Sequence, residues 1–465
     1  MSMMKGFSNA LRIPELRKKI LITLGIVFVC RLISQIPTPG VDWRALQGVI
    51  EAARQSTAGG GLLDWFNVFT GGALEQCGIG FLSIWPYISA SIVIQLLGSV
   101  IPSLEKLKKE GETGRQQLAQ ITRYLTIVLC VVQSWGIATM LSHPGALGQA
   151  FAGHEIVANP GLGFQLMTVI GMTSASLLVM WLADQITTFG IGNGASLIIM
   201  INITSRLPEA LISAWERYFG LAGVQASAPI AELPILVIFF LLVVMGTVLL
   251  TQGVRKVAIH TTRRSVGGGN SYGMQQTFMP LRVNYTGVMP IIFAQPLIQI
   301  PSALLMKVTD PTSSGISGAL NRFAQELSNP TALHLVVYAV MILFFAFFWV
   351  ATQFNAIDIS ENLKKDGSYI PGIRPGRATA EFLDDMMTKI TLIGGTGLLV
   401  VALIPMLLMG WMSIPWAIAS FFGGTSLLII VGVALDTLRI LESHLLVRKY
   451  DGFLSHGRLR GRSGM

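Results

Sequence analysis

The chain has 465 residues, of which 52% are apolar and only 12% are charged. Soluble domains carry about 25% charged residues, and a mean hydropathy of +0.62 excludes an ordinary water-soluble fold. Apolar runs near twenty residues recur, and each is long enough as a helix to cross a hydrocarbon layer ~30 Å thick. The three cysteines and six histidines lack ligand spacing, which excludes a disulfide framework, a thiolate metal site and a catalytic zinc. We predict an all-α membrane protein without a cofactor.

Residues 1–19 contain basic residues ahead of the first apolar run, as a signal peptide does. No small-residue cleavage site follows, and Pro37-Thr38-Pro39-Gly40 ends the run, so we predict a retained first span. Nine further apolar runs come after it. The ten predicted spans cover roughly residues 20–37, 78–100, 121–142, 163–182, 194–213, 233–252, 286–306, 332–354, 387–409 and 414–437.

The basic residues lie mostly in alternate connections. The N-terminus, three of the loops and the C-terminal tail hold 26 of the 33 Lys and Arg residues. Because such residues mark the cytoplasmic ends of membrane spans, we predict that both termini are cytoplasmic. Orientation and attraction to anionic membrane lipids are a sufficient reason for the charges of the terminal segments.

Two of these basic loops, 253–285 and 355–389, are each longer than thirty residues. A long loop is expensive to order unless a partner docks on it, so we predict a cytoplasmic partner there. The first loop contains the glycine-rich run 265–270, which lacks the strand and the Lys-Ser/Thr pair of a phosphate-binding loop. We interpret that run as a flexible tip.

One apolar-leaning stretch is too short to span the membrane. Residues 62–68 lie between glycines at 59–61 and at 71–72, and as a helix the stretch reaches only ~15 Å. Asp64 and Asn67 exclude a fully lipid-facing position, because polar groups at membrane depth lie in protein or line water. We predict a short, hinged helix inserted into a cavity from the outside. The alternative is a helix lying flat on the outer surface.

The interiors of the predicted spans carry almost no charge, whereas ion channels and solute transporters use buried acids, bases or histidine relays. Arg31 is the main exception, and near the outer end of its span it can snorkel to the surface. Ile84 with Ile88, and Ala195 with Ile199, share helix faces at a spacing of four residues. Apolar side chains from several spans can form a collar that excludes water and blocks ions. The alternative is that they face lipid or pack in a core.

Eight ordered strings in this sequence resemble a known family. They are Ile36-Pro37 with Pro39-Gly40, Phe69-Thr70-Gly71-Gly72-Ala73-Leu74, Pro86-Tyr87-Ile88-Ser89-Ala90-Ser91-Ile92, Leu107-Lys108-Lys109-Glu110-Gly111-Glu112, Gly190-Ile191-Gly192-Asn193-Gly194, Asn362-Leu363-Lys364-Lys365, Pro371-Gly372-Ile373-Arg374-Pro375-Gly376 and Phe422-Gly423-Gly424-Thr425-Ser426-Leu427-Leu428-Ile429. The chain resembles the SecY family, the central subunits of bacterial protein-conducting channels. The match runs from about residue 10 to residue 440.

The resemblance implies a clamshell of ten transmembrane helices in two inverted five-helix halves, with a short plug helix. Its implied divisions are a cytoplasmic N-terminus at 1–19, a first half at 20–213, an external hinge loop at 214–232, a second half at 233–439 and a cytoplasmic tail at 440–465.

The resemblance also assigns the working parts of a channel. The pore ring would comprise Ile84, Ile88, Ala195, Ile199, Ile292 and Ile429. The plug, residues 62–72, would include Leu62, Leu63, Asp64, Trp65, Phe66, Asn67, Val68, Phe69 and Thr70. The lateral gate would involve Ser89, Gln95, Gln295 and Gln299, the last two within the stretch 292–300. Ala195 departs from the family's usual bulky residue, and we expect the plug or a neighbouring side chain to fill the gap.

By the same resemblance, the two long loops would receive the ribosome or the ATPase SecA. The basic positions implied for this docking are Arg255, Lys256, Arg263, Arg264 and Arg374, while Gly268 and Gly269 stand where relatives often carry further arginines. The other implied partners are SecE-like and SecG-like membrane subunits, signal peptides and unfolded polypeptides, with no sequence-specific binding of nucleic acid. The implied location is a bacterial plasma (inner) membrane.

We therefore predict a passive, gated conduit for unfolded polypeptide, which is not an enzyme and has no ATPase activity of its own. A segment of about twenty apolar residues gains roughly 0.3 to 0.6 kcal/mol per Leu, Ile, Phe or Val by leaving the pore for lipid, whereas a polar segment continues outward. Two other classes are possible. A secondary transporter would need acids or histidines in relay within the membrane, and an insertase or scaffold would lack a through-pore.

Overall fold

The structure is a computed structural model. It describes residues 13–48, 70–143, 156–220, 229–261, 275–309, 315–412 and 414–456, with short gaps at 43, 47, 74–76, 230–231, 330, 413, 415–417 and 419–423. The chain divides into two compact units. The first contains the described residues up to Arg206 together with those from Val433 onward, and the second contains those from Leu207 to Gly432.

Helices make up most of the first unit. They are α1 (Pro14–Gln35), a 3-10 helix (Ile79–Leu82), α2 (Trp85–Val100), α3 (Pro102–Lys109), α4 (Glu112–Ser142), α5 (Leu162–Phe189) and α6 (Gly194–Thr204). A proline occupies the first turn of α1, α2 and α3, where its missing N–H costs no helical hydrogen bond.

Helices α4 and α5 pack along each other. The buried stripe of α4 consists of Thr122, Thr126, Cys130, Ser134 and Ala138, one residue in every four. Such small side chains let two membrane helices approach closely. The hydroxyl of Ser134 also lies 3.3 Å from that of Thr173 on α5. This contact surface helps to hold α4 against α5 along its length.

The second unit contains most of the remaining helices and a small sheet. Its elements are α7 (Leu207–Phe219), α8 (Glu232–Gln252), β1 (Val254–Thr261), β2 (Gln275–Arg282), α9 (Met289–Val308), α10 (Ile316–Ser328), α11 (Ala332–Gln353), α12 (Ala356–Lys365), β3 (Ser368–Tyr369), α13 (Arg377–Met412) and α14 (Gly424–His456), whose residues from Val433 onward belong to the first unit. The membrane core of this unit is formed mainly by α8, α9, α11 and α13, with contributions from α10 and the start of α14, and Ile342 and Leu398 are fully buried in it.

The sheet was not predicted from the sequence. The two long loops form three strands in the order β2-β1-β3, all antiparallel, with Val257 opposite Met279 and Thr261 opposite Ser368. The alternate side chains of β1 and β2 face a second apolar core on the N-terminal part of α13, where Leu383 is fully buried. The two loops are therefore joined through one sheet, while the glycine-rich run 265–270 lies outside the described residues.

Eight helical stretches of the described chain are long and apolar enough to cross a membrane, and they coincide with the second to ninth predicted spans. Two of these stretches each join two α-helices, α6 with α7 and α11 with α12. The first predicted span corresponds to α1, which is 22 residues long but includes basic residues at its start and Arg31 near its end. The tenth falls partly outside the described residues, and α14 covers it from Gly424 onward. The protein is thus an all-α, multi-pass membrane protein, and its helices agree with the predicted ten-helix architecture.

The fifth predicted span, 194–213, differs from a single helix. The 11-residue helix α6 ends at Thr204, and the amphipathic helix α7 begins at Leu207. Arg206 lies at this break, and Pro208 fits the first turn of a new helix. The division between the two compact units falls at the same place.

Candidate functional site

Helix α2 carries two of the pore-ring candidates at its start. Ile84 is the residue that precedes the helix, and its carbonyl accepts a hydrogen bond from the Ile88 N–H at 3.1 Å. Both isoleucines are buried, with 2% and 8% of their surfaces exposed. Ser89 is half-buried, and Gln95 is exposed and donates to the Ser91 hydroxyl at 3.2 Å. The two isoleucines therefore point into protein and not into lipid.

Helix α6 carries the next two candidates. Asn193 caps this helix, since its side-chain oxygen accepts a hydrogen bond from the Ser196 N–H at 3.1 Å. Ala195 and Ile199 are half-buried, one helical turn apart. The neighbouring Gly194 lies against the backbone of Ala183 on α5, where a larger residue would not fit. This close approach fixes where α6 starts and hence the depth of Ala195 and Ile199.

Helix α9 shows a separate stripe of buried residues. Ile292, Gln295, Gln299 and Ser302 succeed one another at spacings of three, four and three, so they share one face. All four side chains are buried, although two are long amides. The Ser302 hydroxyl donates to the Gln299 carbonyl at 2.9 Å. We call this set the α9 polar stripe; it holds one ring candidate and both gate candidates of this helix.

The other faces of α9 have different surroundings. Ile291, Ala294 and Ile298 pack in the membrane core of the second unit. Leu297 and Leu304 are exposed, with 46% and 59% of their surfaces free. A lipid-facing surface and a core surface are thus accounted for, and the α9 polar stripe is a third, distinct surface of the same helix.

The sixth ring candidate, Ile429, lies in the first turns of α14. It is buried, as are the preceding Leu427 and Leu428, which belong to the membrane core of the second unit. Four of the six candidates, Ile84, Ile88, Ile292 and Ile429, are therefore buried, and none of these four faces lipid. Their closure into a ring stays a prediction.

The plug candidates 62–69 lie outside the described residues. The segment that follows them is described: Thr70 is buried, and Gly71 and Gly72 have left-handed φ angles of 67° and 89°. Residues with a Cβ rarely adopt such angles. The glycine pair therefore forms the turn that leads from the predicted plug back toward the second span.

A polar cluster missed from the sequence holds this turn. The Arg31 guanidinium donates to the Gly71 carbonyl at 3.2 Å and to the Asn202 side-chain oxygen at 3.5 Å. The Asn202 amide donates to the Ser83 hydroxyl at 3.1 Å. The Ser205 hydroxyl donates to the Asn202 carbonyl at 2.7 Å and contacts Gly71. Arg31 is half-buried, and its guanidinium is held by these oxygens of the first unit.

The basic docking candidates lie around the small sheet. Arg255 and Lys256 are exposed on β1. Arg374 is exposed in the turn after β3, and its carbonyl accepts the Thr379 hydroxyl at 2.9 Å. Arg263 and Arg264 lie outside the described residues, as does the glycine tip. The structure thus places basic residues of both loops on one folded element.

A metal site finds no support in the described part of the chain, where no group of three or more His, Cys, Asp or Glu side chains is placed to hold an ion. His334 is buried near the start of α11, where its Nδ1 contacts the Leu327 carbonyl at 2.6 Å and its ring stacks near that of Tyr338. That contact ties α11 to the end of α10.

Comparison with known proteins identifies the fold. A family model described as SecY matches residues 79–438. The protein translocase subunit SecY of Streptomyces scabiei is 40% identical over 453 residues, covering 97% of this chain and 100% of the relative. A solved structure titled "The plug domain of the SecY protein stablizes the closed state of the translocation channel and maintains a membrane seal" matches with a TM-score of 0.56 at 17% identity, covering 92% of both chains. "Sec61 in the Canine ribosome-channel complex from the endoplasmic reticulum" matches with a TM-score of 0.52 at 16% identity, again over 92% of both.

The fold is therefore that of the helical channels that conduct proteins through membranes. The chain belongs to the SecY family. As a member of that family it is a multi-pass channel subunit of a protein translocase, a transport protein and not an enzyme.

Proposed function

We propose that this chain passes unfolded secretory polypeptides across a bacterial plasma membrane and releases apolar segments sideways into lipid. Both termini are cytoplasmic in this proposal, because they lie on the same side of the membrane as the connections rich in Lys and Arg. The chain provides the path, and the driving force comes from a ribosome or a SecA-type ATPase.

The α9 polar stripe is the observation that carries this proposal. Burying a glutamine side chain costs free energy, because its amide loses hydrogen bonds to water. Contact with lipid on one side of α9 and with the packed core on another does not explain two buried glutamines on a third side. Ile292, Gln295 and Gln299 bear no charge. Such a surface suits a path that must accept almost any polypeptide, because a charged side chain would bind some sequences and repel others.

The closed state requires a seal against ions. We propose that Ile84, Ile88, Ala195, Ile199, Ile292 and Ile429 form a dewetted ring, which the plug at 62–72 covers from outside. Burial of the four isoleucines named above supports this role, because it excludes the lipid-facing alternative for them. The smaller Ala195 leaves room that the plug or a neighbour fills.

Sideways release needs a gate that opens to lipid. We propose that Ser89 and Gln95 of α2 and Gln295 and Gln299 of α9 line this gate, and that the connection at 214–232 acts as the hinge between the halves. An apolar segment gains roughly 0.3 to 0.6 kcal/mol per large apolar residue when it moves from the pore into lipid. This free-energy gain separates the polar gate residues.

Cytoplasmic partners dock on the small sheet in this proposal. Arg255, Lys256 and Arg374 are exposed there and attract an acidic surface or a phosphate backbone. Arg263 and Arg264 extend the same basic region in sequence. SecE-like and SecG-like subunits and anionic lipids surround the spans.

Crosslinking of a stalled substrate tests the path. In a chain whose three cysteines are replaced by alanine, Ile292→Cys is compared with Ile291→Cys, its neighbour in the packed core. A secretory precursor with one cysteine is stalled during translocation by a folded C-terminal domain. We expect a disulfide with position 292 and none with position 291, because only the former faces the path.

Secretion of the unstalled precursor by both variants is the control for folding. Secretion without any disulfide at position 292, or with equal disulfide formation at both positions, would overturn the assignment of Ile292 to the path.

A further inference from the structure

The polar cluster around Arg31 links two parts of the proposed channel that the sequence keeps far apart. Gly71 ends the plug segment, and Ser83 directly precedes the ring candidate Ile84. Asn202 contacts both the Arg31 guanidinium and Ser83. One hydrogen-bonded chain thus runs from the end of the plug to the start of the ring, entirely within the first unit.

The geometry at Gly71 admits Arg31 only because glycine lacks a Cβ. A Cβ built at this position would collide with the Arg31 guanidinium and lie 3.0 Å from the Ser205 hydroxyl. The φ angle of 67° is also one that favours glycine. The turn and the arginine are therefore fitted to each other.

The backbone at Ser83 is strained. Its φ of 46° lies in the left-handed region, although Ser83 is not glycine, and its side chain is buried. Such a conformation persists only where surrounding contacts hold it. The hydrogen bond from Asn202 is one of these contacts.

We propose that Arg31 is a positioning residue that latches the end of the plug and transmits its position to Ile84 through Asn202 and Ser83. The inference rests on the proposed plug and ring. Both contacts of Arg31 within the cluster are to neutral oxygens, so the latch is weaker than an ion pair and can open when a polypeptide displaces the plug.

Ion conductance through the substrate-free channel tests the latch. Arg31→Met keeps the stem of the side chain and removes its donors, and Arg17→Met, at the exposed cytoplasmic end of the same helix, removes an equal charge as the matched control. Deletion of residues 62–69 gives the fully unplugged reference. We expect Arg31→Met to raise conductance several-fold toward that of the deletion, Arg31→Lys to raise it less, and Arg17→Met to leave it unchanged.

Combining Arg31→Met with the deletion separates a latch from general loosening. If Arg31 acts through the plug, the combined variant conducts no more than the deletion alone. Conductance of Arg31→Met equal to the parent, or an added increase in the deletion background, would overturn the latch while leaving the plug intact as a proposal. If deletion of residues 62–69 does not raise the conductance, both the plug assignment and the latch are contradicted. Should Arg31→Met not fold, Asn202→Leu, which removes the acceptor and keeps the charge, carries the same expectations.

Discussion

His260 on β1 lies directly opposite Tyr369 on β3, with ring centroids 5.9 Å apart. This pair joins the two long loops, which are separated in sequence by two membrane-spanning helices, α9 and α11. Because Arg374 follows β3 by only five residues, the pair fixes where the arginine stands relative to β1. A partner bound at the sheet meets charges from both loops at once.

Arg374 is expected to act in motor coupling, and Arg377 provides its matched control. Both are exposed, three residues apart, but Arg377 is paired with Glu381 at 2.9 Å. Arg374→Ala should reduce motor-driven secretion about tenfold, equivalent to ~1.4 kcal/mol of lost coupling. Arg377→Ala should change it little. Secretion into inverted membrane vesicles with a SecA-type ATPase measures both, and equal effects of the two changes would contradict the role of Arg374.

Gly394 on α13 allows the chain after β2 to approach the helix. A Cβ there would collide with the backbone carbonyl of Val283, whereas a Cβ on Gly432 of α14 meets no atom within 4 Å. Gly394→Ala should destabilise the protein by about 1 to 3 kcal/mol. Gly432→Ala should stabilise it by up to ~1 kcal/mol, because alanine favours the helix. Thermal unfolding in detergent reports both signs, and stabilisation by Gly394→Ala would be evidence against the close approach.

Ile88 is expected to seal the closed channel. Ile88→Ser places a hydroxyl in the predicted ring, wets the constriction and should raise basal ion conductance several-fold. Val93 lies on the same helix with 39% of its surface exposed, so Val93→Ser serves as the control and should leave conductance unchanged. Planar-bilayer recordings compare the two. An unchanged current in Ile88→Ser, in a variant that still secretes, would remove Ile88 from the seal.

Cys77 gives the stability a defined pH dependence. It lies before the second span, and burial raises the pKa of its thiol to about 11, partly offset by a hydrogen bond from Thr38. The pKa of this thiol is higher in the folded protein than in the unfolded chain. Its contribution to the free energy of unfolding is therefore complete below about pH 9 and is lost as the pH rises toward 11. Relative to Cys77→Ala, the parent should lose about 2 to 3 kcal/mol over that range. Denaturation at several pH values measures the free energy of unfolding of both proteins. An equal loss of that free energy in the parent and in Cys77→Ala would contradict the prediction.

Hydropathy predicts the membrane helices well, because a span must form its backbone hydrogen bonds within its own helix. Such a helix needs about twenty apolar residues to cross the hydrocarbon layer. The sheet escaped prediction for the opposite reason. β1 and β3 are separated by more than a hundred residues, and β3 contributes only two of them. The alternation of buried Val257 and Ile259 on β1 was the available signal, but the neighbouring glycines and basic residues favoured a flexible loop.

The polar cluster was also beyond prediction from one sequence. Arg31 and Asn202 are 171 positions apart, and nothing in the local pattern pairs them. Asn202, Ser205 and Arg206 were nevertheless unusual residues in a predicted span, and Pro208 indicated the start of a new helix there. Polar residues that interrupt an apolar run therefore indicate a break in the helix.

Helix α13 belongs to both cores of the second unit: Leu383 is buried against the small sheet and Leu398 in the membrane core. No proline interrupts it between Arg377 and Ile404. The stretch between the two leucines is one continuous helix, about 22 Å long at 1.5 Å per residue. A force applied to the turn that bears Arg374 would therefore act on the same helix that packs in the membrane core, with no intervening loop between the two cores.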